Sequence, residues 1–89
     1  MRARMTITGR VQGVGFRFYV ERCAQNLGLS GYARNTAEGV EVVAEGPKEK
    51  LDLLVEKCRK GPSYAHVENV SVSYDEDDSG NKYFGFDIR

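Results

Sequence analysis

An α+β sandwich of the ferredoxin-like kind, two helices packed on one face of an antiparallel sheet, is the fold class that three features of the sequence predict. Short stretches alternate apolar with polar residues, as half-buried strands do. Two longer stretches repeat apolar residues at helical spacing. Their order is β-α-β-β-α-β with a further C-terminal strand, which is the split βαβ arrangement. A length of 89 residues suits one domain, residues 1–89, and is too short for two.

The elements follow in order. Ala3, Met5 and Ile7 alternate with Arg4, Thr6 and Thr8, which predicts a first strand over Arg2–Thr8. Gly9-Arg10-Val11-Gln12-Gly13-Val14-Gly15 has three glycines in seven positions and reads as a loop able to take positive φ or to approach a ligand closely. Phe16, Val20, Cys23, Ala24 and Leu27 recur at helical spacing, so a first helix runs from about Phe16 to Leu27, and Gly28-Leu29 suits a left-handed cap. Gly31–Asn35 and Val40–Ala44 are strands joined by the turn Thr36-Ala37-Glu38-Gly39. Gly46-Pro47 opens a second helix whose buried stripe is Leu51, Leu54, Val55 and Cys58, and Arg59-Lys60-Gly61-Pro62 ends it. Val70, Val72 and Tyr74 alternate in a fourth strand, Asp75–Asn81 is an acidic solvated turn, and Phe84, Phe86 and Ile88 alternate in a fifth. With the sheet order 4-1-3-2 usual for this fold class, the end of the first strand, the start of the first helix and the end of the second strand share one edge. Arg17 and Asn35 therefore converge there. The pattern leaves the fifth strand unplaced.

Composition narrows the function classes. Thirteen Lys and Arg balance 13 Asp and Glu, so no overall field pulls the chain toward polyanions, and neither nucleic acid nor a membrane is expected as a partner. Apolar runs are too short for a membrane span or a signal-peptide core, which predicts a cytoplasmic protein. Cys23 and Cys58 are too few for a disulfide scaffold and too far apart for a metal knuckle, and read as buried small hydrophobes. His66 has no Cys or carboxylate at ligand spacing and reads as a surface residue entering the fourth strand. Asp75-Glu76-Asp77-Asp78-Ser79-Gly80 resembles half of a calcium loop, yet Phe86 stands where its last ligand should be. No metal and no cofactor is expected.

The residues from Gly9 to Arg17 combine a glycine-rich loop, a helix N-terminus and an Arg in the first helical turn. Loop and helix-start N–H groups suit a tetrahedral anion, and a guanidinium can grip two of its oxygens at once. The bland reading is a tight strand-to-helix turn and a solvated Arg. A P-loop is excluded because no Lys-Ser or Lys-Thr follows, and a dinucleotide fingerprint because the third glycine is missing. Gly13–Phe18 also has a likeness to an RNA-recognition strand, but here it crosses a loop and a helix start, where Phe16 should be buried.

Gly9-Arg10-Val11-Gln12-Gly13-Val14-Gly15-Phe16-Arg17, followed by Gly28-Leu29-Ser30-Gly31-Tyr32-Ala33-Arg34-Asn35 and Gly39, closely resembles the two signature stretches of the acylphosphatase family. The resemblance extends over the whole chain, through the Gly61-Pro62 break to Phe84-Gly85-Phe86-Asp87-Ile88-Arg89. It implies a hydrolase that splits small acyl phosphates into a carboxylate and inorganic phosphate; a monomer is expected, though no residue pattern sets the oligomeric state. By that match Arg17 binds phosphate, with Gln12, Gly13, Val14, Gly15 and Phe16 as the phosphate loop, and Asn35 positions the attacking water. Thr36 would steady the Asn35 amide. Departures are slight: Tyr32 stands where Trp is common, and Gly15 where a bulkier residue is often found, which leaves the loop freer. Arg10 and Arg34 flank the site, either steering anions or lying solvated. The alternative is a ferredoxin-like module that binds a phosphorylated metabolite without hydrolysing it.

Overall fold

The computed structural model describes residues 1–76 and 82–89. Its elements are β1 (Arg2–Arg10), α1 (Phe16–Asn26), β2 (Ser30–Asn35), β3 (Val40–Glu45), α2 (Lys48–Lys60), β4 (His66–Asp75) and β5 (Phe86–Ile88). Beyond Glu76, the predicted acidic turn falls on residues 77–81, outside the described residues. The sheet order is β4-β1-β3-β2-β5. The first four strands pair antiparallel in the expected order, and Ala3, Met5 and Ile7 face the helices with Val40, Val42 and Ala44 beside them.

One expectation is corrected: the sheet is mixed. β5 lies on the outer edge and runs parallel to β2, with Gly31 opposite Phe86 and Ala33 opposite Ile88. The reason lies in where the chain re-enters. The backbone N–H groups of Lys82 and Tyr83 donate to Glu45 Oε1 at 2.9 and 3.2 Å, at the end of the sheet where β2 begins. A strand entering from that end has to run in the direction of β2. Phe84 is likewise corrected, because it is fully exposed while Phe86 is buried. Gly85 between them has φ 71°, which breaks the alternation, and its carbonyl accepts the Gly31 N–H at 2.9 Å.

Both helices cover one face. α1 buries Phe16, Val20 and Ala24, and its end is closed by the Leu29 N–H donating to the Ala24 carbonyl at 2.9 Å, with Leu29 itself buried. α2 buries Leu51, Leu54, Val55 and Cys58, and its last turn carries Lys57, Arg59 and Lys60 against the helix dipole. Of the two cysteines, both free thiols, only Cys58 is fully buried, and burial pushes its thiol up to about 12. Cys23 is half-buried, because it lies at the rim of the face α1 turns inward. Among the described residues, no helix is long and apolar enough to cross a membrane.

Candidate active site

Three chain ends meet at one sheet edge. β1 remains paired with β4 as far as Arg10 opposite His66, and β2 with β3 as far as Asn35 opposite Val40. From Arg10 the chain turns through Val11–Gly15 into α1. Val11 and Phe16 are buried on either side of this loop and pin it to the core. Between them Gly13 and Gly15 take φ 73° and 77°, a region closed to most side chains. A Cβ at either would meet nothing within 4 Å, so the loop backbone fronts open space. Gly15 is also the residue that caps α1. It offers no side-chain hydrogen bond to the first helical N–H groups, and no acid stands in the first turn. The N–H groups of this turn have no side-chain cap, the arrangement that suits a helix start to an anion.

Gly13, Gly15, Phe16, Arg17 and Asn35 line one cavity of about 110 Å³, together with Val11, Phe18 and Ile88. The two polar side chains in it are unequally held. Arg17 Nη1 donates to the Arg89 carbonyl at 3.1 Å, which leaves most of its donor fork unused. Among the described residues, the Asn35 amide makes no side-chain hydrogen bond. The cavity thus presents a permanent cation, backbone donors and a neutral amide from the opposite wall.

Gln12 and Val14 belong to the loop but do not line the cavity. Gln12 Nε2 instead donates to the Thr36 and Gly39 carbonyls at 2.6 and 2.8 Å. Thr36 Oγ1 accepts the backbone N–H groups of Glu38 and Gly39 at 3.3 and 3.2 Å. Gln12 therefore ties the glycine loop to the turn that follows Asn35, whereas the Thr36 hydroxyl closes that turn instead of holding the Asn35 amide. Val11, Phe18 and Ile88 line the cavity without being marked as site residues by the sequence pattern. Phe18, an aromatic residue at helical spacing from Glu21, Arg22 and Gln25 and outside the buried stripe, is the available signal, whereas Ile88 depends on the placement of β5.

The flanking charges differ in their surroundings. Arg34 Nε pairs with Glu41 Oε1 at 2.6 Å, and the Tyr32 hydroxyl donates to the same oxygen at 3.3 Å, so the Arg34 charge is locally answered. Arg10 and His66 are exposed. Phe16, which an RNA-binding strand would have to offer for stacking, is 1% exposed.

Fold and cup together define an α+β domain with a small cavity at the edge of its sheet, lined by a glycine loop, a guanidinium and an amide. The acylphosphatase family model matches residues 3–88, and the chain belongs to the acylphosphatase family. Two relatives, both named acylphosphatase, support this. The one from Koribacter versatilis is 54% identical over 70 residues, 78% of this chain and 64% of that protein; the one from Thermus thermophilus is 53% identical over 72 residues, 80% of this chain and 82% of that protein. The crystal structure of acylphosphatase from Bacillus subtilis superposes with a TM-score of 0.91 at 36% identity, covering 99% of this chain and 97% of that one.

Proposed function

We propose that this acylphosphatase hydrolyses small acyl phosphates by direct attack of water on phosphorus, without a covalent enzyme intermediate, and that Arg17 and Asn35 are its catalytic side chains. The observation that carries this reading is that Arg17, Asn35 and the open glycine backbone line the same cavity of about 110 Å³. Phosphoryl transfer depends mainly on position and on charge stabilisation. Arg17 and the N–H groups at the start of α1 hold the equatorial oxygens, where charge is spread in the transition state. The Asn35 amide both donates and accepts, so it aims a water at phosphorus without setting a negative charge beside a dianion. The leaving group is a carboxylate, a weak base near neutral pH, so its departure needs no general acid. The proton of the attacking water passes to a phosphate oxygen of the substrate. A reaction of this kind has no step that calls for a metal ion.

The remaining parts of the proposal are that residues 1–89 act as one domain, that the protein is a cytoplasmic monomer, and that nucleic acid is not a partner. The test is turnover of benzoyl phosphate in EDTA. Release of benzoate and inorganic phosphate at an undiminished rate is expected. Tight binding of inorganic phosphate with no turnover would favour a binding module instead.

A further inference from the structure

A guanidinium on a flexible stem grips an anion poorly until something holds it in place, because every conformer it samples elsewhere is lost on binding. Among the described residues, the hydrogen bond that the Arg17 guanidinium makes is to the Arg89 carbonyl, at 3.1 Å. That bond takes one of five N–H donors, so Arg17 can keep it while the rest of the fork faces the cavity. Whatever fixes the carbonyl therefore fixes the cation.

The backbone alone holds Arg89 weakly. It follows β5, which is three residues long and lies at the edge of the sheet, where chain ends tend to fray. Its N–H donates to the Ala33 carbonyl at 2.8 Å. The side chain supplies a second hold. Strand alternation turns Ile88 into the cavity and Arg89 to the opposite face of the sheet, the face without helices. There the Arg89 guanidinium lies 4.3 Å from the centroid of the Tyr32 ring and 5.6 Å from that of Tyr83, and the two rings meet edge to face at 5.5 Å. Each ring is tied to the sheet independently of Arg89: the Tyr32 hydroxyl donates to Glu41 at 3.3 Å, and the Tyr83 N–H to Glu45 at 3.2 Å.

Resting on the reading of Arg17 as the phosphate-binding side chain, we infer that Tyr32 and Tyr83 are positioning residues for it. The two rings seat the Arg89 guanidinium by a cation–π contact, and Arg89 in turn presents the carbonyl that orients the Arg17 fork. Neither tyrosine lines the cavity. The contacts cross the sheet, so a ring on the face away from the helices acts on a cup at the start of α1. Tyr32 also stands opposite Val43, which is fully buried although it faces away from the helical core, so packing on Val43 is the role from which this one has to be told apart.

The test titrates inorganic phosphate calorimetrically into the wild type and a set of variants, with benzoyl phosphate kinetics and a melting curve for each. Arg89→Ala keeps the carbonyl and loses the guanidinium. It should weaken phosphate binding by about three- to fivefold, the scale of an exposed cation–π contact, with KM rising in step. Tyr32→Leu should match it. Tyr32→Phe keeps the ring and should stay within about twofold of the wild type, and Tyr32→Trp should bind phosphate at least as tightly, because indole is the better partner for a cation. The losses should not multiply: Tyr32→Leu combined with Arg89→Ala should bind phosphate like Arg89→Ala alone. A Tyr32 that only packs on Val43 would lower the melting temperature and leave phosphate affinity per folded molecule unmoved, and that result overturns the inference. So would losses that multiply, or an Arg89→Ala protein with wild-type affinity. Where Tyr32→Leu melts below the assay temperature, Arg89→Ala and Tyr32→Trp decide. Arg17→Ala separates the inference from the reading beneath it. Phosphate affinity unchanged by Arg17→Ala would end both, whereas affinity lost in Arg17→Ala but level across the Tyr32 and Arg89 variants would end the inference alone. The expected order of affinities in a protein that does not turn over benzoyl phosphate would keep the positioning role and lose the hydrolase reading.

Discussion

The two ends of the sheet treat their polar groups in opposite ways. At the end where β3 stops, the Glu45 carboxylate is 5% exposed and saturated. Its Oε2 accepts from Arg2 Nε and Nη2 at 3.1 and 2.8 Å, and its Oε1 from the Lys82 and Tyr83 N–H groups. At the other end the start of α1 has no side-chain cap, the Asn35 amide has no partner among the described residues, and Arg17 makes a single bond to a carbonyl. A buried polar group left without partners would be costly, but the open cup stays wet and the cost there is small. The difference teaches where to look: polar groups that hold the fold are answered by protein, and those assigned to a ligand in the proposed function are the ones left unanswered at the surface.

The sharpest way to break the contrast is to remove the unanswered cation. Arg17→Ala should lower kcat/KM by about a thousandfold or more and abolish measurable phosphate binding, with little change in thermal stability. Steady-state kinetics, phosphate titration and a melting curve check all three together. A variant that still binds phosphate like the wild type would end the assignment. Asn35→Ala comes next: kcat should fall by about a hundredfold while phosphate affinity stays nearly intact, because an oriented water matters chiefly in the transition state. Equal losses in both quantities would mean that the loop had collapsed.

Gln12 sharpens the comparison, because it is an answered group at the unanswered end. Its side-chain amide spends both observed bonds on the Thr36 and Gly39 carbonyls, so it joins the wall that carries the glycines to the wall that carries Asn35. Gln12→Ala should lower kcat by about tenfold through misplacement of the amide relative to phosphate, and raise KM by less. Gln12→Glu should behave as badly, since a carboxylate cannot donate to two carbonyls. A KM effect larger than the kcat effect would show that Gln12 touches the substrate instead.

Much of this arrangement was legible in the sequence, for identifiable reasons. The convergence of Arg17 and Asn35 follows from strand direction and the split βαβ order, which depend on long, strongly periodic segments such as Ala3–Ile7 and Leu51–Cys58. β5 was not legible in the same way. It is three residues long, its partner β2 lies far away in sequence, and Gly85 interrupts the period that seemed to join Phe84 to Phe86. The Gln12 tether was hidden because side-chain bonds to loop carbonyls leave no periodic trace. Arg2 is only the first residue of the expected strand, and its pairing with Glu45 depends on the β1–β3 register, in which the two residues stand opposite each other.

The saturated end gives the smallest effect on turnover and a distinct effect on stability. Burial alone would raise the Glu45 carboxyl. The Arg2 hydrogen bond, the two backbone N–H groups and the Arg2 charge outweigh it and hold the group below its ordinary value of 4.5. A folded value below the unfolded one means that the unfolded chain takes up the proton first. The contribution of Glu45 is therefore complete above pH 4.5 and is lost as pH falls through its lower folded value. Glu45→Ala should cost about 2 kcal/mol at neutral pH, with kcat per folded molecule unchanged, because the groups it leaves unanswered lie at the end of the sheet away from the cup. Denaturant melts of both proteins from pH 7 down to pH 3 check the sign: the gap between them should narrow on the acid side. A gap that stayed constant would mean that Glu45 acts through packing and not through its charge, and the clasp at this end would then be steric.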